Sequence, residues 1–116
     1  MRMWVYSPHS GGQKPKPAVQ ERIRDRILKH AAKNYAGKYD RIDVRFHGAL
    51  CYVDAYVGSS PHPLHLCRLR YKGNEDSMSV AFYTYSHEKY EPTFFPSGKD
   101  HGTPEEAFDL GALYLQ

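Results

Sequence analysis

The chain has 116 residues, 41% hydrophobic and 25% charged, and this composition excludes a wholly disordered chain. The net charge is +3, and no apolar run approaches the roughly 20 residues that a membrane-spanning helix needs. The first eight residues also lack the apolar stretch of a signal peptide. We therefore expect one soluble, cytoplasmic domain whose two cysteines, Cys51 and Cys67, stay reduced.

The charge is spread unevenly along the chain. Residues 1–57 hold 11 Lys and Arg against 5 Asp and Glu, whereas residues 58–116 hold 5 against 8. A basic half is typical of proteins with an anionic partner, and equally of a helix with a basic, solvated outer face. Tyrosine is also abundant, with ten copies, and suits both half-buried strands and recognition surfaces.

The N-terminal part predicts a short edge strand at residues 3–6 and then a linker at residues 10–17, rich in Gly, Pro and Lys. We expect this part, up to residue 17, to be partly flexible. An amphipathic helix follows from Pro17 to about Tyr35, and Gly37 is its natural stop. Its apolar side is formed by residues at four-residue steps, Val19, Ile23, Ile27, Ala31 and Tyr35.

The other side of this helix is basic. It carries Arg22, Arg26, Lys29 and Lys33 within an arc of about 60°. This stripe is a secondary candidate for contact with a phosphate backbone, and a solvated outer face explains it as well.

Four or five antiparallel strands follow the first helix. They are predicted at residues 41–47, 50–57, 64–71, 77–85 and 90–95. Strict alternation in the first two predicts that Ile42, Val44, Phe46, Cys51, Val53, Ala55 and Val57 face the core. In the third and fourth strands apolar residues fall on both parities, so their facing stays open. Pro92 restricts the fifth strand to an edge.

The last helix begins with a strong signal. Thr103 is placed to cap it, Pro104 occupies the first turn and Glu106 completes a capping box. The helix extends to about Leu115 and offers Ala107, Phe108, Leu110, Gly111 and Tyr114 for packing. The order of elements predicts a two-layer α+β domain with both helices on one face of the sheet.

The second half of the chain resembles a known family. Residues 66–71 (LCRLRY), 82–86 (FYTYS) and 90–92 (YEP) are similar to a family of small bacterial proteins known only as a domain of unknown function. The resemblance is limited to residues 66–95. It implies a similar sheet, and it implies no catalytic residue and no activity.

The candidate functional surface is the face of the sheet opposite the helices. Arginine and tyrosine side chains are predicted to interleave there, namely Arg45, Tyr52, Tyr56, Arg68, Arg70, Tyr83 and Tyr85. Bases stack on tyrosine while arginine binds phosphate, so the pattern favours binding of RNA or single-stranded DNA. Ordinary cross-strand pairing, with Asp43 and Asp54 neutralising nearby arginines, is the structural alternative.

Metal and catalytic sites have weaker support. His62, His65, Cys67 and Cys51 are possible zinc ligands, but their spacing matches no usual zinc motif and both cysteines occupy core-like strand positions, so we predict no metal and no cofactor. A nuclease built from residues 87–89 and Asp54 is conceivable, yet no phosphate-binding glycine loop or nucleophile elbow is present.

These observations rank three functions. The first is a small nucleic-acid-binding accessory protein that uses the Arg/Tyr face. The alternative is a structural or regulatory module that homodimerises through the same face, since such interfaces also favour Tyr and Arg. The second alternative is a small hydrolase or nuclease, and the sequence leaves open whether the chain is an enzyme.

Overall fold

A five-stranded antiparallel sheet, in the simple order β1-β2-β3-β4-β5, organises the chain. The computed structural model describes residues 11–115, and the strand predicted at residues 3–6 lies outside them. The strands are β1 (Arg41–His47), β2 (Leu50–Tyr56), β3 (Leu64–Arg70), β4 (Ser79–Thr84) and β5 (Lys89–Thr93). Helix α1 (Pro17–Asn34) precedes the sheet, and helix α2 (Pro104–Gly111) follows it and continues as a 3₁₀ turn (Ala112–Leu115).

Both helices pack on the same face of the sheet and enclose one hydrophobic core. Ile23 of α1, Phe108 of α2 and Leu69 of β3 are fully buried in this core. Full burial of an apolar side chain stabilises a fold by about 1.5–3 kcal/mol, so these contacts hold the two layers together. The predicted two-layer α+β fold is confirmed.

Helix α1 ends close to where the sequence predicts. Its last turn closes with the Tyr35 amide donating to the Ala31 carbonyl at 2.8 Å. Gly37 then adopts a φ of +83°, a conformation that glycine reaches without the steric cost a side chain would add. The predicted apolar side is confirmed, because Ile23, Ile27 and Ala31 are all buried.

Residues 11–16 lie against the end of the sheet, although their composition predicts a flexible linker. The Gln13 amide donates to the Tyr71 carbonyl at 2.9 Å. Pro15 is fully buried, and its carbonyl accepts from the Gln20 side chain at 3.0 Å. These contacts fix the path along which the chain enters α1.

A β-bulge in β3 explains why apolar residues fall on both parities of this strand. Val53 of β2 is paired with Cys67, and the next residue, Asp54, is paired with His65, so Leu66 is the extra residue. Leu66 and Cys67 are therefore both buried, whereas simple alternation would place one of them on the opposite face. Past the bulge Leu69 faces the helices, and Arg68 and Arg70 face away.

Some predicted boundaries and facings need correction. Strand β2 ends at Tyr56, so Val57, predicted to face the core, is 38% exposed. Strands β3, β4 and β5 are each shorter than predicted, because loops take over at Tyr71, at Tyr85 and at Phe94.

The start of α2 is confirmed. The Glu106 amide donates to Thr103 Oγ1 at 3.2 Å, and the Thr103 amide donates to the Glu106 carboxylate at 2.9 Å.

Across residues 11–115, neither helix has the length and apolar character needed to cross a bilayer.

Candidate nucleic-acid interface

The sheet face opposite the helices, called the open face below, is crossed by one continuous row of paired residues. The row consists of Arg45, Tyr52, Arg68, Ala81 and Pro92, one from each strand in order. Neither described helix packs on this face, because both belong to the core on the other side. The interleaving of Arg and Tyr predicted from the sequence is therefore present on β1, β2 and β3.

One end of the open face is electrostatically neutralised by a buried carboxylate. Asp54 is 2% exposed even though it faces away from the helices. Its Oδ2 accepts from Arg45 Nη2 at 2.7 Å, and its Oδ1 accepts from His65 Nδ1 at 3.0 Å. Arg45 also lies 3.2 Å from Asp43. Arg45 is thus held by two carboxylates, as the alternative of cross-strand pairing predicts.

The tyrosines next to Asp54 pack edge-to-face on one another. The ring centroids of Tyr83 and Tyr90 lie 5.0 Å apart, those of Tyr52 and Tyr90 5.5 Å, and those of Tyr83 and His65 4.7 Å. Such pairs stabilise each other but occupy the ring faces that a base would stack on. Burial, with the charge of Asp54, raises the pKa of Tyr90, so this phenol stays protonated.

Other aromatic rings keep an accessible surface. Tyr85 is 44% exposed at the end of β4, and Phe94, just after β5, is 65% exposed. Tyr56 is half-buried, and the Arg41 guanidinium lies 4.2 Å from its ring centroid. Tyr85 packs edge-to-face against Tyr83 and Tyr114, with ring centroids 4.8 and 5.1 Å away. Phe94 forms no aromatic pair among residues 11–115, so it is the ring best able to receive a base.

A pocket of about 340 Å³ opens on this face over β3, β4 and β5. Its basic wall consists of Arg68, Arg70 and Lys72. Ala81 and Pro92 line it from the adjacent strands, and Phe94 lines it from the segment after β5. Asp100 is the single carboxylate among the lining residues.

The arginines of this pocket differ from Arg45 in their partners. Among residues 11–115, no carboxylate lies within ion-pair distance of Arg68 or Arg70. Arg70 is only 6% exposed and donates to the Gly11 carbonyl at 2.8 Å. Its burial and the charge of Arg68 lower the pKa of Arg70. Two adjacent arginines without a carboxylate partner among residues 11–115 are the kind of group that recognises phosphate and carboxylate anions.

The basic stripe of α1 has a different environment. Arg26 pairs with Glu105, Glu75 and Asp76 at 2.8–3.1 Å. Arg22 pairs with Glu75 at 2.9 Å, and Lys29 pairs with Asp25 at 3.0 Å. Three of the four stripe residues thus have carboxylate partners within the fold, and the stripe lies across the domain from the open face.

The possible zinc ligands are separated by the sheet. Cys51 and Cys67 are buried among core residues on the helix side, whereas His65 binds Asp54 on the open face. Over residues 11–115, no three His, Cys, Asp or Glu side chains are grouped closely enough to hold a metal ion.

The imidazole beside Asp54 belongs to His65, not to the predicted residues 87–89. His87 instead binds Glu91 at 2.7 Å.

Sequence reasoning missed several residues of this surface. Tyr90 and His65 complete the aromatic cluster, and Lys72 and Phe94 line the pocket. The register of the β4–β5 hairpin pairs Tyr90 with Tyr83. An aromatic residue opposite Tyr83 in the predicted hairpin was therefore the sequence signal that could have identified Tyr90. Lys72 and Phe94 lie in loops, where alternation gives no information.

Comparison with protein-family models, with curated proteins and with solved structures finds no match to this chain.

Proposed function

We propose that the open face binds single-stranded nucleic acid, RNA or DNA, and that the chain acts as a small accessory protein. The observation that carries the proposal is that Arg68 and Arg70 lie next to each other on the same face of β3. They project from one face of β3 without a carboxylate partner among residues 11–115, beside the exposed ring of Phe94. Cations that bind phosphate next to rings that receive bases are the two elements of single-strand recognition.

A single strand fits this surface better than a duplex. Stacking on side-chain rings requires bases that are not already stacked in a helix. The exposed rings and the cations lie on the same face, so a strand crossing β3 to β5 would contact both. Within that path Arg68, Arg70 and Lys72 bind phosphates. Phe94 stacks on a base, and the exposed part of Tyr85 makes a smaller contact because its ring already packs against Tyr83 and Tyr114. Arg45, Tyr52 and Tyr83 then shape the surface more than they bind the strand.

A binding titration tests the proposal. Labelled single-stranded and duplex oligonucleotides are titrated at about 50 mM and about 200 mM salt, a range over which phosphate contacts weaken strongly. Arg68→Ala should weaken binding and lower the log–log salt slope by about 0.7 on a single strand. Phe94→Ala should cost about 1–3 kcal/mol with little change in slope, and Tyr85→Ala should cost less than Phe94→Ala.

Lys29→Ala is the matched control, because it removes one cation from the helix layer. It should leave affinity unchanged. If the wild type binds no strand at low salt, or if the control weakens binding as much as Arg68→Ala does, the proposal is wrong.

Homodimerisation through the same face is the second candidate, favoured by the exposed rings of Tyr85 and Phe94. A two-fold interface places the same surface on both sides, and a surface with unpaired cations is poorly self-complementary. Sedimentation of the same variants separates the two functions. A dimer predicts a mass that depends on concentration and falls in Phe94→Ala, with little response to added oligonucleotide.

Hydrolysis or nuclease activity is the remaining candidate. Its supporting observation is the Asp54–His65 pair, since a carboxylate on Nδ1 orients an imidazole to act through Nε2. The same titrations test it, because cleavage shortens the labelled strand. Shortening in the wild type that is lost in His65→Gln would support this activity, and intact strands after long incubation would exclude it for these substrates.

A further inference from the structure

The charge and the size of the pocket beside Arg70 fit a more specific ligand than single-stranded nucleic acid in general. We propose that it binds a nucleotide carrying a terminal phosphate monoester, with the phosphate among Arg68, Arg70 and Lys72 and the base against Pro92 and Phe94. This inference rests on the proposed function, because it assigns a ligand class to the same face. It identifies the end of a phosphorylated strand, or a free mononucleotide, as the ligand.

Charge complementarity is the first argument. Three cations and one carboxylate, Asp100, line the pocket, which leaves a net charge of +2. A terminal phosphate monoester carries about −1.5 to −2 at pH 7. A phosphate within a strand carries a single negative charge, so it would leave one of the cations uncompensated.

The environment of Arg70 is the second argument. Arg70 as a whole residue is 6% exposed, lies two residues from Arg68 on β3, and its guanidinium has one hydrogen bond to a described acceptor, the Gly11 carbonyl. A guanidinium offers five N–H donors in a rigid fork that matches phosphate geometry. A dianion in the pocket provides acceptors for the remaining donors and offsets the repulsion between the two arginines.

The shape of the pocket is the third argument. Its volume of about 340 Å³ lies at the lower end of the range for small-molecule sites, which begins at about 300 Å³. It therefore suits one nucleotide, not several. Ala81 is 3% exposed and forms an apolar floor, and the exposed ring of Phe94 offers a stacking surface at the rim.

Matched ligands test this inference. Calorimetric titrations compare AMP with adenosine, and a 5′-phosphorylated oligonucleotide with its 5′-hydroxyl counterpart of identical sequence. The phosphorylated member of each pair should bind at least about tenfold more tightly, as the charge-assisted hydrogen bonds require. Arg68→Gln and Lys72→Gln should reduce this preference, while Lys29→Gln on the helix layer should preserve it.

Asp100→Asn gives a change in the opposite direction. Asp100 is exposed and is the only carboxylate among the lining residues, so its neutralisation should tighten binding of the phosphorylated ligands about threefold. Thermal melts confirm that each variant is folded. A variant that binds more weakly only because it is unfolded is identified by its melt.

The outcomes separate this inference from the proposed function. Equal binding of the phosphorylated and hydroxyl strands would overturn the inference and leave the proposed function intact. Tight binding of AMP without binding of any strand would support the nucleotide site and overturn the proposed function. If neither AMP nor any strand binds, both fail.

Discussion

The carboxylate of Asp54 accepts a hydrogen bond from His65 across the β2–β3 pair, and both side chains lie on the sheet face opposite the helices. Asp54 is nevertheless 2% exposed, and the ring of His65, which binds it, packs against Tyr90, which in turn packs against Tyr52. A buried carboxylate is stable only when its oxygens accept hydrogen bonds, and here Arg45 and His65 supply them. Alternation along β2 predicts the direction of Asp54 correctly and its burial incorrectly.

Removing this carboxylate should destabilise the domain. Asp54→Ala deletes two hydrogen bonds to cationic or polar partners, and we expect a loss of about 2 kcal/mol in the free energy of unfolding. Arg45 remains able to reach water, which keeps the loss below that of a fully buried pair. Urea unfolding measures the change. Asp43→Ala is the control, since that carboxylate is more exposed and should contribute less than about 0.5 kcal/mol. Equal losses in the two variants would contradict the assigned role.

A close contact between Gly111 and the bulge at Leu66 gives a second prediction. A Cβ at position 111 would lie 2.6 Å from the Leu66 carbonyl oxygen, too close for either backbone to accept. Helix propensity alone predicts that Gly→Ala in a helix stabilises by about 1 kcal/mol. We expect Gly111→Ala instead to destabilise by about 2 kcal/mol, as overpacking does. Leu113→Ala, at an exposed position nearby, should change the midpoint little. A stabilised Gly111→Ala variant would show that the helix and the bulge are not in contact.

Much of the fold follows from local patterns in the sequence. The apolar steps of α1 and the strict alternation of β1 each predict one buried side, and the structure buries it. The bulge at Leu66 has no such pattern, because a run of apolar residues is compatible with either facing. The facing of β3 depends on its pairing with β2 and on the close approach of Gly111, both of which are tertiary contacts.

The N-terminal cap of α2 is a local sequence signal that determines where this helix begins. Thr103 and Glu106 exchange hydrogen bonds in a reciprocal capping box. Thr103→Ala should lower the free energy of unfolding by about 1 kcal/mol, and Thr103→Ser, which keeps the hydroxyl, should retain most of the stability. Denaturant unfolding of both variants decides this. Equal midpoints for Ala and Ser would mean that the hydroxyl does not contribute.

The cysteines should be inert in the folded protein. Burial raises the pKa of Cys51 to about 12 and also raises the pKa of Cys67, so neither forms the reactive thiolate near neutral pH. We expect a thiol reagent to modify neither residue in the native protein and both in denaturant. Any slow modification without denaturant should therefore require unfolding of the domain. Rapid labelling of the native state would show that the core opens locally at β2 or β3.

The candidate site was less predictable than the fold. Alternation places Arg45 of β1 on the open face, whereas Arg68 of β3 and Tyr83 of β4 lie there because of strand pairing that alternation did not predict. Which cation is free, however, depends on where carboxylates from other strands lie. Arg45 is neutralised by Asp54, whereas Arg68 has no such neighbour among residues 11–115. The pocket is formed by residues of β3 together with the loop residues Lys72 and Phe94. No periodicity in the sequence predicts that these residues lie close together.

The last prediction concerns the ion pair between Arg26 of α1 and Glu105 of α2. Two nitrogens of the Arg26 guanidinium donate to the two oxygens of Glu105 at 2.8 and 2.9 Å, which joins the helices. Partial burial of Glu105 opposes its ionisation, but the hydrogen bonds and charge of Arg26 outweigh this and hold its pKa below the usual range. Because the pair makes two hydrogen bonds and belongs to a network of charges, we expect it to stabilise the fold by about 1 kcal/mol, the upper end of the range for surface ion pairs.

The direction of the pH dependence follows from that lowered pKa. The stabilisation by Glu105 is present above the pKa of an unfolded glutamate, about 4.3, and is lost as the pH falls through the lower value of the folded state. Glu105→Gln should therefore cost about 1 kcal/mol at pH 7 and nearly nothing at an acidic pH below the lowered pKa of the folded state. Asp25→Asn, which breaks the exposed pair with Lys29, should cost only a few tenths of a kcal/mol at pH 7. Urea unfolding at both pH values provides the comparison. A Glu105→Gln loss of equal size at both would mean that the glutamate acts by packing and not by charge.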